Sequence, residues 1–159
     1  MSDWTGPDFL DALETAISAR SGITSLTPEV RILTYFPSID EPLTDAILLG
    51  HTVTDSNVPA ALGQNRYEET VDIESQIRVV RPGAGTTPSK TARDRAKNLL
   101  GEIDSELRTT LPAVGDQTIS AHITTRTMSQ FAYQAATTAV RVCLIDFTIQ
   151  YKARTAQAS

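Results

Sequence analysis

The sequence predicts an α+β domain in which two principal helices pack on a mainly antiparallel β-sheet. Apolar and polar residues alternate strictly over residues 67–79, which is typical of a strand with one buried and one wet face. A wet face indicates an antiparallel sheet, because parallel strands are usually covered on both sides. Two other segments carry apolar residues at helical spacing. The predicted element order is α-β-β-β-α-β-β, which is typical of an α+β arrangement.

The first helix is predicted to begin near Pro7 and to stop at Gly22. Proline suits the first helical position, and glycine suits the residue just past a helix end. Phe9, Leu13 and Ile17 follow helical spacing between these two signals. The pattern indicates a short amphipathic helix of about four turns.

Five strands are predicted, three before the second helix and two after it. The first two cover residues 30–36 and 46–54, and a loop is expected over residues 55–65. The third strand covers residues 67–79 and carries Glu68, Asp72 and Glu74 on its wet face. The last two cover residues 117–127 and 139–154, and the stretch 128–138 between them is predicted as a loop or a short helix.

The loop before the second helix has the outline of a phosphate-binding loop but departs from the pattern. Such a loop needs glycine at positions 84 and 89, where this chain has Ala84 and Ser89. Pro88 removes a backbone donor, and the preceding strands do not alternate with helices as nucleotide sites require. The favoured interpretation is a turn at Gly83 and Gly85, with Ser89 as N-cap of a helix over residues 89–109. Nucleotide binding by the loop at residues 83–91 is the less favoured alternative.

Length and composition indicate one domain over residues 1–159, with a polar tail at residues 155–159 that is expected to fray. A chain of 159 residues can bury a core without a metal or a disulfide. The single cysteine excludes an internal disulfide. The longest apolar run, residues 46–49, is far shorter than the roughly 20 residues of a membrane span. With no secretory signal at the start, these features predict synthesis in the cytoplasm and no membrane partner.

Charge is unevenly distributed along a chain whose formal net charge is −5. Residues 40–80 hold eight acidic residues against two arginines, which argues against a general DNA-binding protein. The basic residues that follow form either a solvated helix face or an electrostatic contact with a subunit or nucleic acid. This basic cluster comprises Arg81, Lys90, Arg93, Arg95 and Lys97.

Candidate catalytic residues are few, and the sequence predicts that the chain is not an enzyme. His51 and His122 each lie alone in a predicted strand, without a second ligand or base at a suitable spacing. Cys143 alternates with buried aliphatic positions, where a free cysteine packs as a small apolar group. No cofactor or metal is predicted.

The arrangement of several segments resembles the tail terminator (tail completion) proteins of long-tailed bacteriophages and the related neck proteins. The resemblance covers residues 8–154 and rests on three features. They are the order of the elements, a strand that leads through an Arg-Pro-Gly loop into a helix, and a last strand with the sequence FTIQY. The segments that carry it are DFLDALETAISAR, VRILTYFPSID, YEETVDIESQIRVVRPG, KTARDRAKNLLGEIDSELRT and TAVRVCLIDFTIQYKART.

The resemblance implies a structural protein of the virion tail or neck. It implies a homo-oligomeric ring, a hexamer, that caps the tail tube, stops its polymerisation and presents the surface for head joining. Its partners would be the tail tube protein, a head–tail connector or neck protein, and DNA passing through the lumen without sequence-specific binding. Another neck protein, a head–tail connector or a minor tail protein is the alternative.

On this interpretation two sets of residues have separate roles. Glu68, Asp72 and Glu74 would line the lumen and keep DNA from adhering. Arg93, Arg95 and Lys97 could meet the acidic strand of a neighbour. The subunit or tube interface is expected at residues 81–90 and the following helix, with Arg81, Gly83, Gly85, Lys90, Arg93, Arg95 and Lys97 as its candidates.

Overall fold

A computed structural model describes residues 5–34, 44–59, 66–109, 118–135 and 138–156. These residues form a five-stranded sheet with three helices on one of its faces. The helices are α1 (Gly6–Ser18), α2 (Ser21–Thr24) and α3 (Thr86–Thr109). The strands are β1 (Arg31–Leu33), β2 (Ala46–Pro59), β3 (Arg66–Pro82), β4 (Thr118–Ala135) and β5 (Thr138–Ala156).

The strand order in the sheet is β1-β2-β3-β5-β4. β1 runs parallel to β2, and every other neighbouring pair is antiparallel. Because β5 lies between β3 and β4, α3 crosses over it to deliver the chain to the edge of the sheet. The predicted α+β fold class is confirmed, with α2 as an additional short helix.

The core lies between the sheet and the helices. The ring of Phe9 in α1 stacks on Tyr151 of β5, with ring centroids 4.1 Å apart. The apolar stripe of α3 packs on β3 and β5 beside it, so the helix covers the middle of the sheet. Its buried apolar members are Ala92, Ala96, Leu99, Leu100, Ile103 and Leu107.

β3 shows the alternation that the sequence predicted. Val71, Ile73 and Ile77 are fully buried on the helix-covered face, and Glu74 on the opposite face is exposed. Glu69 and Ser75 are polar residues that are also buried on the helix-covered face.

β2 and β4 are both longer than the sequence indicated. The predicted loop begins at residue 55, but residues 55–59 pair with β3 as part of β2. The prediction of a loop or short helix over residues 128–138 was wrong, because β4 continues to Ala135 and pairs with β5 throughout. Cross-strand hydrogen bonds hold this extension, and it lacks buried positions that would produce an alternating pattern.

Several element ends also differ from their predicted positions. α1 ends at Ser18, and Gly22 lies within α2 rather than closing the first helix. α3 begins at Thr86, so Ser89 is inside the helix and is not its N-cap; its hydroxyl donates to the carbonyl of Gly85 at 3.3 Å. β1 ends at Leu33, and residues 35–36 of the predicted first strand lie outside the described residues.

The ends of the last strand also extend past their predicted positions. Thr155 and Ala156, placed in the tail by the sequence, extend β5 and pair with β3. Residues 157–159 lie outside the described residues. The assignment of residues 1–159 to one domain stays a prediction.

Candidate interaction surfaces

The turn between β3 and α3 is short and depends on two glycines. Gly83 and Gly85 have φ values of +112° and +97°, in the left-handed region that glycine adopts without strain. The Gly83 amide donates to the carbonyl of Ala139 at 2.8 Å, which ties the turn to β5. Only residues 83–85 separate strand and helix, so Lys90 lies on the helix and the turn is too short to wrap a phosphate.

A basic depression lies beside the first turns of α3. Its volume is about 820 Å³, and Lys90, Arg93 and Arg141 line it together with Asp94. The first turn of α3 holds no acidic residue that would offset the positive end of the helix dipole. Within the described part of the chain, the buried Nε of Arg141 has no hydrogen-bond partner. This end of α3 therefore has the electrostatics of a surface that meets an anionic partner.

Arg81 and Arg95, two members of the predicted basic cluster, bind a buried aspartate inside the chain. Nη1 of Arg81 donates to both carboxylate oxygens of Asp45 at 2.9 Å. Nε of Arg95 lies 2.8 Å from Oδ2 as an ion pair, without a hydrogen bond from that atom. Asp45 also accepts a hydrogen bond from the amide of Val80 at 3.0 Å. The two arginines brace the ends of β2 and β3 against α3.

Arg95 also fastens the segment that precedes β1. Its guanidinium donates to the carbonyl of Thr27 at 3.1 Å and to the carbonyl of Pro28. Burial lowers the pKa of Arg95, an effect that the charge of Asp45 opposes. With 12% of its side chain exposed, Arg95 has little surface to offer a partner. Lys97, two residues further along α3, is exposed.

The predicted acidic surface lies on the face of the sheet opposite the helices. Asp72 accepts a hydrogen bond from Gln150 at 3.2 Å, and Asp146 of β5 accepts one from Gln76 at 2.9 Å. Glu68 lies 3.9 Å from Lys152. We call this surface the acidic face; its carboxylates are Glu68, Asp72, Glu74 and Asp146. It is separated from the basic end of α3 by the thickness of the sheet.

A carboxyl pair that the sequence did not single out lies on the helix-covered face. Asp55 of β2 and Glu69 of β3 are diagonal neighbours, since Asp55 pairs with Val71 and Glu69 with Asn57. Burial is the main cause that raises the pKa of each carboxyl. Thr5 donates to Glu69 through its hydroxyl at 2.8 Å and through its amide at 3.2 Å. The pair joins the start of α1 to the sheet. Glu69 falls on the same side of the alternation as Val71, which is the signal that could have identified it.

The sequence candidates for catalysis remain apart from one another. Cys143 is fully buried in the core, and burial raises the pKa of its thiol, which keeps it protonated and unreactive. His51 and His122 are exposed on β2 and β4. The described residues hold no group of three or more His, Cys, Asp or Glu side chains placed to share a metal ion. Among the helices described, none is long and apolar enough to cross a membrane.

β4 forms an uncovered edge of the sheet. The side chains of residues 124–134 are exposed on both of its faces. Met128, Phe131 and Tyr133 are 48%, 46% and 42% exposed and are the large apolar side chains that the described residues leave most open to solvent. Phe131 and Tyr133 lie on the face opposite the helices, and Met128 lies on the helix side of the strand.

These features define an α+β protein with several carboxylates on one face of its sheet, a basic end of α3 on the other side, and an uncovered edge strand. No protein-family model matches the chain, and no curated protein matches it. Among solved structures, it is similar to a chain described as "Virion of native gene transfer agent (GTA) particle". The TM-score is 0.62 at 13% identity, and the match covers 97% of this chain and 100% of that chain. The two chains therefore share a fold over their whole lengths.

Proposed function

We propose that this chain is a structural protein of a phage-like virion and acts there as a tail terminator. The observation that carries the proposal is the fold shared with a complete chain of a gene transfer agent virion. The chain forms a ring, of six copies, at the head-proximal end of a tail tube. The ring stops tube polymerisation and offers the surface to which the head is joined. This role needs no catalytic group and no cofactor.

The acidic face suits the inner wall of such a ring. DNA carries one negative charge for about every 1.7 Å of its axis, so carboxylates along the wall repel it. Asp72 and Asp146 each accept a hydrogen bond from a glutamine of the neighbouring strand, which fixes both carboxylates on this face of the sheet. A wall of this kind lets DNA pass without sequence-specific binding.

The basic end of α3 suits contact with the tail tube protein or the connector. α3 packs on the face of the sheet opposite the acidic face. If the acidic face lines the lumen, α3 lies on the outer side of the ring, and the acidic face of one copy does not contact α3 of the next. Gly83, Gly85, Lys90, Arg93 and Lys97 therefore form the proposed contact to the adjoining component. Arg81 and Arg95 act from inside by fixing where α3 lies on the sheet.

The test is tube growth in the presence of the chain. Tail tube protein is polymerised with and without it, and tube lengths and capped ends are measured by negative-stain electron microscopy. We expect growth to stop and one end of each tube to carry a ring. Tubes of equal length and with bare ends in both reactions would contradict the proposal. Native mass spectrometry of the chain alone gives the ring stoichiometry.

A charge-reversal pair tests the contact surface. Lys90→Glu with Arg93→Glu should abolish capping while the ring and its thermal stability are retained. The matched control is Arg108→Glu, near the other end of α3, where the side chain is 73% exposed. Equal capping by both variants would remove the basic end of α3 from the interface.

A second candidate is a head–tail connector or other neck protein. The similar chain is described only as part of a gene transfer agent virion, which fits a neck protein as well as a tail terminator. A neck protein would bind the head connector and leave tube growth unchanged. The tube-growth measurement therefore separates the two functions.

A further inference from the structure

β4 lacks the features that usually keep an edge strand from pairing with another chain. Natural edge strands carry lysine, proline or inward-pointing charges, or are covered by another segment. The 18 residues of β4 hold no proline, no lysine and no carboxylate, and Arg126 is their one full charge. Only β5 pairs with β4 among the described strands, so its outer row of backbone amides and carbonyls faces outward.

The opposite edge of the sheet is also open over most of its length. β1 pairs with β2 only at Ala46, Ile47 and Leu48. No described strand pairs with the outer edge of β2 beyond Leu48, although β2 continues to Pro59. Among the described strands, both edges of the sheet therefore present backbone groups that can accept a further strand.

The directions of the two edges suit head-to-tail pairing. β2, β3, β5 and β4 are successively antiparallel, so β2 and β4 run in opposite directions. Rotation of a second copy about an axis along the strands therefore sets its β2 antiparallel to β4 of the first. Antiparallel pairing is slightly more stable per residue than parallel pairing. A contact between two different edges repeats and can close into a ring.

Charge separates the two halves of the sheet and favours the same pairing. A contact of β4 with β4 would bring two basic halves together, whereas a head-to-tail contact brings opposite charges together. β2 and β3 carry Glu68, Asp72, Glu74 and the buried Asp55–Glu69 pair, which holds one proton, with Arg66, Arg78 and Arg81, so this half is slightly acidic. β4 and β5 carry Arg126, Arg141, Lys152 and Arg154 with Asp146.

We infer that the outer edge of β4 pairs with the β1–β2 edge of a second copy of this chain, which extends the sheet from subunit to subunit. The inference rests on the proposed ring and names its subunit interface. Pairing of this kind turns the acidic face of every copy to the same side. Phe131 and Tyr133 pair with Val142 and Val140 of β5 on that side of the sheet, at the level where β1 begins. These two side chains therefore become covered at the β1 end of the contact.

Disulfide cross-linking distinguishes this contact from a two-fold one. Thr125 of β4 and Thr52 of β2 are exposed. They lie on one line perpendicular to the strands, because Thr125 pairs with Thr148, Thr148 with Glu74, and Glu74 with Thr52. Thr125→Cys and Thr52→Cys are made separately in a Cys143→Ala background. We expect an oxidised dimer from the mixture of the two proteins and none from either alone.

Three results would overturn the inference. A dimer from the Thr125→Cys protein alone would indicate a two-fold contact. An oligomeric mixture that forms no cross-linked dimer would place the interface elsewhere, and a strict monomer over the whole concentration series would exclude self-association. Tube capping is scored independently. A chain that caps tubes without this cross-link keeps the proposed function and loses this interface, whereas a chain that cross-links without capping loses the function alone.

A second variant addresses the apolar part of the contact. Phe131→Ser with Tyr133→Ser should raise the concentration at half-assembly at least ten-fold and leave the circular dichroism spectrum of the monomer unchanged. Asn98→Ala on the exposed side of α3 is the control and should not shift assembly. An unchanged midpoint for the double serine variant would contradict burial of these side chains between copies.

Discussion

Asp55 and Glu69 are diagonal neighbours on adjacent strands of the helix-covered face, where the hydroxyl and the amide of Thr5 donate to Glu69 at 2.8 and 3.2 Å. Two carboxylates in this position cannot both be charged without repulsion, so one proton stabilises the pair. Two solvent-exposed carboxylates would both stay ionised, because water screens their repulsion. The pair therefore couples the attachment of α1 to pH.

Glu69→Gln tests this coupling. Burial raises the pKa of Glu69 in the folded chain, so its contribution to stability is full below the unfolded value and is lost as pH rises through the folded pKa. A glutamine keeps an acceptor for Thr5, donates to Asp55 and needs no proton. We expect the variant to be more stable than the wild type at pH 7, by about 1 kcal/mol.

The measurement is urea unfolding of both proteins from pH 8 down to the ordinary pKa of glutamate, 4.5. The stability difference should shrink as pH falls through this window, because the wild type regains its proton. Glu74→Gln, an exposed residue of the same strand, serves as the control and should show no such trend. A constant difference at all pH values would contradict a shared proton.

Asp45→Ala should be the most destabilising of the substitutions considered. The variant removes the carboxylate that pairs with Arg81 and Arg95, whose side chains are 14% and 12% exposed, and leaves two buried cations facing each other. Breaking a buried ion pair from one side costs about 3–5 kcal/mol. Urea unfolding measures the loss. Asp94→Ala, with a side chain 55% exposed, should change stability by less than about 0.5 kcal/mol, and a similar effect of both variants would contradict the brace.

The sequence predicted elements well where one face is buried and poorly where no face is. β3 was located because Val71, Ile73 and Ile77 are covered and their neighbours are not. The end of β4 was missed because neither of its faces is covered in the single chain, so no alternation is imposed on residues 128–135. A strand without a buried face carries no alternation in the sequence, so its pairing with β5 could not be predicted from periodicity.

The predicted basic cluster is only partly a surface, because some of its members pair with residues that are distant in the sequence. The sequence groups Arg81, Lys90 and Arg95 as neighbours, but their partners depend on distant residues. Asp45 reaches Arg81 across β2 and β3 and Arg95 across the gap to α3, so it withdraws both from the surface and leaves Lys90 exposed. A run of basic residues thus defines where charge is placed along the chain, and tertiary pairing decides which of those charges remains available.

Arg20 should couple energetically to Glu106. Its Nη1 donates to Oε2 of Glu106 at 2.8 Å, and its Nε donates to Glu102, so the junction between α1 and α2 is tied to the last turns of α3. These carboxylates raise the pKa of Arg20. A double-mutant cycle with Arg20→Met and Glu106→Gln, measured by urea unfolding, should give a coupling energy of about 1 kcal/mol or more, because the Glu106 side chain is only 9% exposed.

The same cycle with Asp104→Asn in place of Glu106→Gln provides the comparison. Asp104 pairs with Arg108 on the exposed part of α3, where Arg108 is 73% exposed. Its coupling to Arg20 should be below about 0.5 kcal/mol. Equal coupling in the two cycles would indicate a general charge effect rather than a specific bridge.

Gly50→Ala and Gly101→Ala should have opposite effects on stability. Gly50 lies at the irregularity in β2 between Leu48 and Thr52, with a φ of +68°, and its amide donates to Ser75 at 3.1 Å. A Cβ there would lie 2.6 Å from Cδ2 of Leu10, and the left-handed backbone would be strained as well. We expect a loss of about 1–3 kcal/mol.

Gly101 is the matched glycine, because it lies inside α3 and a Cβ there would meet no atom within 4 Å. Alanine at this position lowers the entropy of the unfolded chain and favours the helix by about 0.5–1 kcal/mol. Thermal unfolding of both variants beside the wild type measures the two shifts. Stabilisation by Gly50→Ala would contradict the strained turn in β2, and destabilisation by Gly101→Ala would mean that this side of α3 is packed against another surface, such as a neighbouring copy.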